Sequence, residues 1–464
     1  MKRCVKSEGI TPSERYLRKL CERSFLSLWS YPNLFFEKGK ELCDLLVLGG
    51  DDIIIFSDKN CHFPDTGDLK LDWTRWFRKA VSNSASQIWG AEKKIKQSTQ
   101  NVFLDNLCTK PLPIPIELSS KTKFHLVLVA HGASKKCIDE KGGIGTLMFH
   151  NEIKGCKNHT IPFVIGDLDP SKTFVHVLDD AGLDILMENL TTVSDFTDYL
   201  TKRELFCRSN IKTYCPGEED LLGFYLLNWD NEVTGVIEFK ISENASNDLV
   251  NQIPSNYWEG LQENPQWIEK LKADQISYFW DDLINNISHH ATSGTLRDAT
   301  SAPISDTERI LRILARESRL NRRMLSSVFV EAIRTTKEDK LRIRLVRPSE
   351  ISKNEGLFYV FLLYPKTEEY NSNHEKYRET QMEYLYDVCL IARLQFPEAK
   401  YILGMSKTSG IPNYNKSEDL FYFDCSIWDE ELENRAKVRQ KELNVFTDTK
   451  FTTSTINKYP IAFK

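Results

Sequence analysis

Residues 39–59 read GKELCDLLVLGGDDIIIFSDK, which places two apolar runs on either side of a Gly-Gly-Asp-Asp turn. Each run has the length of a buried strand, and glycine and aspartate are residues that reverse the direction of a chain. The segment therefore predicts a β-hairpin with strands at Leu42–Leu48 and Ile53–Asp58.

The polar side chains of this hairpin are expected to share one face. Side chains alternate between the two faces of a strand, so Ser57 and Lys59 point the same way. A four-residue turn places Asp44 directly opposite Ser57, and a two-residue turn makes them diagonal neighbours on the same face. Asp44, Ser57 and Lys59 therefore converge, and Glu41 lies just before Asp44 at the entrance to the first strand.

Helices are predicted on both sides of the hairpin. The run Thr11-Pro12-Ser13-Glu14 has an N-cap, a first-turn proline and a capping-box glutamate. We expect the helix that follows to reach about Leu28 and to end near Tyr31-Pro32-Asn33. A second, longer helix is predicted from Trp73 to Gln97, so that helix, hairpin and helix form one αββα unit.

A carboxylate and a lysine on one strand face suit the hydrolysis of a phosphodiester bond. Carboxylate oxygens are the ligands that Mg²⁺ prefers, and the ion keeps several of its waters. A bound metal polarises the phosphoryl oxygen and lowers the pKa of a bound water. A nearby lysine stabilises the charge that develops.

In these residues the chain resembles the PD-(D/E)XK nuclease superfamily, and in particular its NERD-like and Mrr-like branches. The resemblance covers residues 31–98 and consists of Gly-x-Glu before an Asp-led strand, a short turn, and a second strand that ends in x-x-Lys. Gln87 matches a glutamine often found on the next helix in the Mrr-like branch. The resemblance implies a restriction-endonuclease-like core with a mixed sheet, Asp44 and Glu41 as ligands of Mg²⁺ or Mn²⁺, and Lys59 as the catalytic lysine.

One position departs from the family pattern. The second acid, expected two residues before the lysine, is replaced by Ser57. The resemblance also implies an auxiliary acid, for which the candidates are Glu41, Glu22 and Glu14. The carboxylates that can substitute at the Ser57 position are Asp58, if a bulge rotates it, and Glu92 on the following helix.

The rest of the chain predicts one or two further α/β domains. The alternating prolines of residues 111–116 suggest a connector. We therefore expect a nuclease-like domain at residues 1–110, a middle α/β domain at 117–250 and a C-terminal α+β domain at 251–464. The strands predicted in the last domain are Leu341–Val346, Gly356–Leu363, Tyr401–Gly404 and Leu420–Asp424.

Two groups of basic residues are candidates for nucleic-acid binding. The helix beside the hairpin carries Arg75, Arg78 and Lys79. In the C-terminal domain the arginines recur at intervals of three and four residues, which predicts a stripe along one helix face that suits phosphate oxygens. Its members are Arg312, Arg316, Arg319 and Arg323. A face of arginines paired with acids such as Glu308 and Glu317 accounts for the pattern equally well.

Composition limits the class of protein. The chain has 464 residues, 41% of them hydrophobic, which is typical of globular domains. The longest apolar runs are too short to cross a bilayer. The eleven cysteines are an odd number and form no CxxC pair, which suggests reduced thiols and a cytoplasmic location. The net charge of −5 does not favour a protein that coats nucleic acid.

The sequence thus predicts a metal-dependent nuclease of DNA, or of RNA. By analogy with defence proteins that join such a domain to a sensing module, it would be an effector against phage. The expected partners are nucleic acid, DNA rather than RNA, and a protein or a second copy of the chain. Two alternatives remain: a degenerate fold that binds or scaffolds without cutting, and a hydrolase whose site lies in the middle domain.

Overall fold

The computed structural model of the chain describes residues 6–228, 239, 250–293, 304–347, 352–365, 373–410, 419–447, 457 and 459–460. The structure is mixed α/β, and its sheets contain both parallel and antiparallel strands. Two compact units divide between Glu269 and Lys270. No helix within these described ranges has both the length and the apolar character that a bilayer crossing needs.

The elements up to residue 228 alternate between helices and short runs of strands. They are α1 (Pro12–Phe25), β1 (Ser30–Glu37), β2 (Lys40–Gly49), β3 (Asp52–Asn60), α2 (Leu69–Trp76), α3 (Asn83–Gln97), β4 (Lys123–His131), α4 (Ser134–Lys141), β5 (Met148–Lys154), β6 (Val164–Asp167), β7 (Val175–Leu178), α5 (Asp180–Asn189), α6 (Val193–Cys207), β8 (Thr213–Cys215) and α7 (Glu218–Leu227).

The predicted hairpin is confirmed as β2 and β3, and a third strand precedes it. Strand β1 pairs antiparallel with β2, and Pro32 in β1 lies opposite Leu45. The sequence did not predict β1, because a proline cannot donate to a sheet and usually argues against a strand. Pro32 is tolerated because β1 is the edge strand of its sheet. The predicted αββα unit is therefore αβββα.

The main sheet of the first unit has the order β1-β2-β3-β4-β7. The first three strands are antiparallel, whereas β3, β4 and β7 run parallel. The sheet joins strands from both sides of the predicted connector at residues 111–116. A smaller sheet has the order β6-β5-β8-β9, and its last strand lies at Asn251–Gln252.

The capping box of α1 is confirmed, since the Thr11 hydroxyl accepts a hydrogen bond from the Glu14 N–H at 3.1 Å and the Glu14 side chain caps the Thr11 N–H. The helix ends at Phe25, three residues earlier than predicted. The long helix predicted from Trp73 is continuous through Gln97, but a π-helical turn over Phe77–Ser82 joins α2 to α3.

From residue 250 the described part of the chain is mainly helical and then forms a third sheet. The elements are β9 (Asn251–Gln252), α8 (Tyr257–Glu263), α9 (Pro265–Asp274), α10 (Tyr278–Ser293), α11 (Ile304–Ala315), α12 (Arg319–Thr335), β10 (Arg342–Val346), β11 (Leu357–Tyr364), α13 (His374–Gln395), β12 (Tyr401–Thr408), β13 (Asp419–Asp424) and α14 (Glu430–Leu443). The four predicted strands are confirmed as β10–β13. They form a sheet in chain order. In this sheet β11 and β12 are parallel neighbours, and the crossover helix α13 connects them.

Candidate active site at the first hairpin

The register of the hairpin places Asp44 opposite Ser57. Strands β2 and β3 pair Leu45 with Phe56 and close at Gly49 and Asp52, so the pairing continued by one residue sets Asp44 against Ser57. Both side chains line a cleft of about 290 Å³ between the hairpin and α3. The residues around the cleft are Phe36, Glu41, Leu42, Cys43, Asp44, Ser57, Gln87, Ile88, Gly90, Ala91 and Lys94.

A β-bulge brings Glu41 into the same cleft. Strict alternation puts residues 41 and 44 on opposite faces of β2. In the structure β1 pairs Leu34 with Cys43 but Phe35 with Glu41, so β2 contains one extra residue at this point. A bulge re-aims the side chains beyond it. Glu41 and Asp44 consequently line one cleft.

Asp44 is a half-buried carboxyl group that shares the cleft with another acid. Its Oδ2 accepts a hydrogen bond from the Asp58 N–H at 2.6 Å. Burial raises the pKa of Asp44 to about 7, and the charges of Glu41 and Glu14 act in the same direction, against the Asp58 hydrogen bond. A bound cation would favour the ionised form of this carboxyl group.

Asn33 connects the acid of the first helix to the acid of the bulge. Its side-chain Nδ2 donates to Glu14 Oε2 at 2.9 Å and to Glu41 Oε1 at 3.2 Å. Asn33 is buried and has a φ of 48°, a left-handed conformation that asparagine tolerates better than most residues. Sequence reasoning missed Asn33 because Tyr31-Pro32-Asn33 was interpreted only as the end of a helix.

Of the three candidates for the auxiliary acid, the structure brings Glu41 and Glu14 towards Asp44. Burial raises the pKa of Glu41, and the nearby charge of Glu14 adds to this effect. Glu22 instead forms an ion pair with Arg18 on the surface of α1, with 2.9 Å between Arg18 Nε and Glu22 Oε1.

Neither acid proposed to substitute at Ser57 reaches the cleft. Asp58 lies on the opposite face of β3, where its Oδ1 is 2.6 Å from His131 Nε2. No bulge rotates it. Glu92 Oε1 is occupied by Lys96 Nζ at 2.5 Å and accepts from Thr173 Oγ1 at 2.7 Å. Ser57 therefore presents a neutral hydroxyl to the cleft.

Lys59 and Gln87 lie on different elements, one beside the cleft and one in its lining. Lys59 is half-buried at the end of β3, beside the cleft rather than in its lining, and its charge acts to lower the pKa of Glu41. Gln87 is exposed on α3 and lines the cleft. The structure thus places Gln87 in the same cleft as Asp44, and Lys59 close enough to Glu41 to act on its pKa.

The donor set fits a hard cation that keeps an open coordination shell. Across the described ranges, no group of three or more His, Cys, Asp and Glu side chains is placed to hold a metal ion. Asp44 and Glu41 are the two carboxylates that line the cleft. Mg²⁺ is commonly held by one or two carboxylates together with water and substrate phosphates. The cleft therefore suits Mg²⁺ or Mn²⁺ and does not suit a closed structural site.

The three basic residues near the hairpin are available to a ligand. Arg75, Arg78 and Lys79 are exposed on α2 and the π-helical turn, outside the cleft lining. None of them forms an ion pair with another residue that the structure describes. They can meet phosphate groups without first breaking an internal contact.

The structure does not place the predicted phosphate-binding arginines of the second unit in one stripe on a single helix face. Helices α11 and α12 are separate, and Arg319 and Arg323 are buried. Arg319 Nη1 lies 2.9 Å from Asp281 Oδ2, and Arg323 Nη1 lies 3.1 Å from Asp274 Oδ1. Burial without these partners would cost far more than burial with them. These guanidinium groups are structural.

The other two arginines of the stripe are half-buried. Arg312 pairs with Glu308 one turn away on α11, with 2.8 Å between Arg312 Nε and Glu308 Oε1. Arg316 lies beyond the end of α11. The alternative interpretation, a face of arginines paired with acids, therefore describes Arg312 as well.

Comparison with known proteins adds no family to this description. No protein-family model matches the chain, and no match was found among curated proteins or solved structures. The chemistry of the cleft residues is therefore the basis for assigning a function.

Proposed function

We propose that the first unit is a metal-dependent nuclease that hydrolyses phosphodiester bonds. The observation that carries this proposal is the convergence of Asp44 and Glu41 on one cleft, with Lys59 beside it. Perturbed carboxyl groups in a cleft are typical of catalytic sites. The mixed sheet and the flanking helix α3 support the restriction-endonuclease-like core that the PD-(D/E)XK resemblance implies.

Asp44 and Glu41 are the residues that would hold Mg²⁺ or Mn²⁺. When bound, such an ion polarises a phosphoryl oxygen and makes water a stronger nucleophile. Asn33 donates to both Glu14 and Glu41, so that Glu41 is held beside Asp44 before any ligand arrives. Holding like charges together in this way raises the affinity for a cation.

The remaining residues act on the substrate. Lys59 stabilises negative charge on the phosphoryl group that reacts. Gln87 and Lys94, on the opposite wall, bind phosphate oxygens and orient the scissile bond. Ser57 contributes only a neutral hydroxyl, so Asp44 and Glu41 supply the anionic ligands.

The test is cleavage of plasmid DNA, single-stranded DNA and RNA with Mg²⁺ or Mn²⁺, and with EDTA. We compare the wild type with Asp44→Asn and Lys59→Ala. The matched controls are Asp65→Asn, an exposed loop residue, and Lys135→Ala, an exposed residue of α4. We expect Asp44→Asn to reduce cutting more than about 100-fold, since even residues that only support a metal ligand cost 10- to 100-fold. Cutting that persists in EDTA or in Asp44→Asn would contradict the assignment.

The second candidate function is binding without cleavage. Ser57 stands where the family pattern has an acid, and the described carboxylates form no three-ligand group. A degenerate nuclease fold of this kind would bind nucleic acid, or scaffold a complex, with no metal requirement. Retention of a nucleic-acid probe in EDTA, with no cutting of any substrate by the wild type in Mg²⁺ or Mn²⁺, would favour this reading.

A further inference from the structure

Phe36 contributes an aromatic ring to the lining of the cleft. It is half-buried on the edge strand β1 and lines the cleft with Asp44 and Glu41. The Lys94 side chain is exposed, and its Nζ atom is 4.8 Å from the centre of the ring. A planar base can replace this ammonium group on the ring and free Lys94 to bind phosphate.

A row of exposed polar side chains leads along the helix to this cleft. We define the helix face as Arg75, Lys79, Asn83, Gln87 and Lys94, all of which are exposed. Residues four apart drift by about 40° around a regular α-helix. The wider π-helical turn, Phe77–Ser82, takes up this drift between Lys79 and Asn83. The face therefore stays aligned over a length of about 28 Å.

The charges on the helix face suit one nucleic-acid backbone. Arg75 and Lys79 form no ion pair with any residue in the described part of the chain, and Gln87 and Lys94 continue the face into the cleft. One line of cations follows one strand, whereas a duplex presents two. The cleft volume of about 290 Å³ is at the small end of ligand sites and has room for one base.

We propose that the substrate is a single strand of nucleic acid, whose backbone follows the helix face and whose base at the scissile position stacks on Phe36. This inference rests on the proposed nuclease function and names its substrate class. Stacking on a phenylalanine ring is tolerant of sequence because every base has a flat face. The protein therefore prefers single strands over duplex and shows little base specificity.

The experiment measures binding by fluorescence anisotropy with the full-length protein in EDTA, so that no cleavage occurs. The probes are labelled oligothymidylate of about 12 nucleotides, the same oligomer with abasic positions, and a duplex of equal length. The variants are Phe36→Leu, Phe36→Trp, Arg75→Gln and Lys79→Gln, with Lys135→Gln as a control of equal charge change on α4.

We expect Phe36→Leu to weaken binding of oligothymidylate about 5- to 100-fold and Phe36→Trp to retain it. Arg75→Gln and Lys79→Gln should each reduce the slope of log K against log salt by about 0.7, while Lys135→Gln leaves it unchanged. The abasic oligomer should lose affinity for the wild type, a result that requires no variant to fold.

Duplex binding as tight as single-strand binding, or equal affinity for the abasic oligomer, overturns the proposal. Failure of the nuclease function gives a different pattern, in which the single strand is bound in EDTA with the Phe36 dependence but nothing is cut in Mg²⁺. Cleavage of duplex in preference to single strands contradicts the substrate assignment alone.

Discussion

Asn33 holds Glu41 of the cleft and Glu14 of α1 in place with one amide group. Its Nδ2 atom contacts both Glu14 and Glu41, which come from different elements of the fold. Without this donor the two acids would repel each other, and Glu41 would be free to turn away from Asp44. Asn33 is therefore a positioning residue for Glu41, the proposed metal ligand.

Replacing Asn33 with glycine tests this role, because glycine keeps the left-handed backbone and removes only the amide. We expect Asn33→Gly to raise the Mg²⁺ concentration for half-maximal cutting about 10- to 100-fold. The matched control is Asn444→Gly, since Asn444 is also left-handed but caps α14 in the second unit. An unchanged Mg²⁺ requirement in Asn33→Gly would show that Glu41 needs no support.

Asp179 is a buried acid that links stability to pH. It caps α5 by accepting from the Gly182 N–H at 2.7 Å and also accepts from the Leu147 N–H at 2.6 Å. Burial raises the pKa of Asp179 to about 7 despite these hydrogen bonds. Between about pH 4 and pH 7, Asp179 is therefore protonated in the native state and ionised in the unfolded chain. The free energy of unfolding consequently falls as pH rises through this window.

Asp179→Asn removes this titration and keeps a good capping residue. We expect the free energy of unfolding of the wild type to fall by on the order of 2–3 kcal/mol more than that of the variant between pH 5 and pH 8. Urea unfolding at the two pH values measures the difference. Parallel profiles for the two proteins would exclude Asp179 as the titrating group.

At the scale of elements, helix α3 contains a glycine in the lining of the cleft. Gly90 is exposed in the cleft lining, and a Cβ atom there would meet no other atom within 4 Å. Glycine within a helix costs about 0.5–1 kcal/mol relative to alanine. Gly90 therefore lowers the stability of α3 at a position that lines the cleft.

We expect Gly90→Ala to raise the free energy of unfolding by about 0.5–1 kcal/mol and to leave cutting nearly unchanged. Gly90→Leu should fill the cleft and suppress cutting in a folded protein. Gly260 on α8 is the matched control, because it is also exposed with no atom within 4 Å of a built Cβ. Full activity of Gly90→Leu alongside Gly260→Leu would mean that substrate does not enter this cleft.

Strand β1 was not predicted from the sequence, whereas the neighbouring strands β2 and β3 were. The strands β2 and β3 consist of uninterrupted apolar runs with a local turn, so their pairing is encoded within 21 residues of sequence. Strand β1 contains Pro32 and the left-handed Asn33, two features that oppose regular pairing. Its extended form depends on β2, which supplies the hydrogen-bonding partner.

At the scale of the whole molecule, buried arginines of the second unit form ion pairs with acids of the same unit. Asp281 on α10 contacts both Arg319 and Arg322 on α12, and all three side chains are buried. Removing one partner of a buried pair leaves an uncompensated charge, which costs about 3–5 kcal/mol. We therefore expect Asp281→Asn to lower stability by this amount without changing affinity for nucleic acid.

Chemical unfolding of the full chain measures the effect, and Glu331→Gln provides the contrast. Glu331 pairs with Arg342 at the surface, with 3.1 Å between Arg342 Nη2 and Glu331 Oε1. Exposed pairs contribute only about 0–1 kcal/mol. Equal losses in Asp281→Asn and Glu331→Gln, or weaker nucleic-acid binding in Asp281→Asn, would contradict the structural role of these arginines.

The sequence alone determined the hairpin, the capped start of α1 and the shared face of Asp44 and Ser57. These features depend on alternation, turn residues and caps, all of which act between residues close in the chain. The nuclease chemistry proposed for Asp44 and Lys59 follows from the same local pattern.

Only the tertiary structure decided which other side chains join that face. Glu41 enters the cleft through a bulge that exists because β2 pairs with β1, and Asn33 reaches it from that neighbouring strand. Asp58 turns instead to His131 of β4, and Arg319 turns to Asp281, 38 residues away in the chain. These partners depend on long-range packing. A buried charge is costly unless it is paired, and the residue that pairs with it can be distant in sequence.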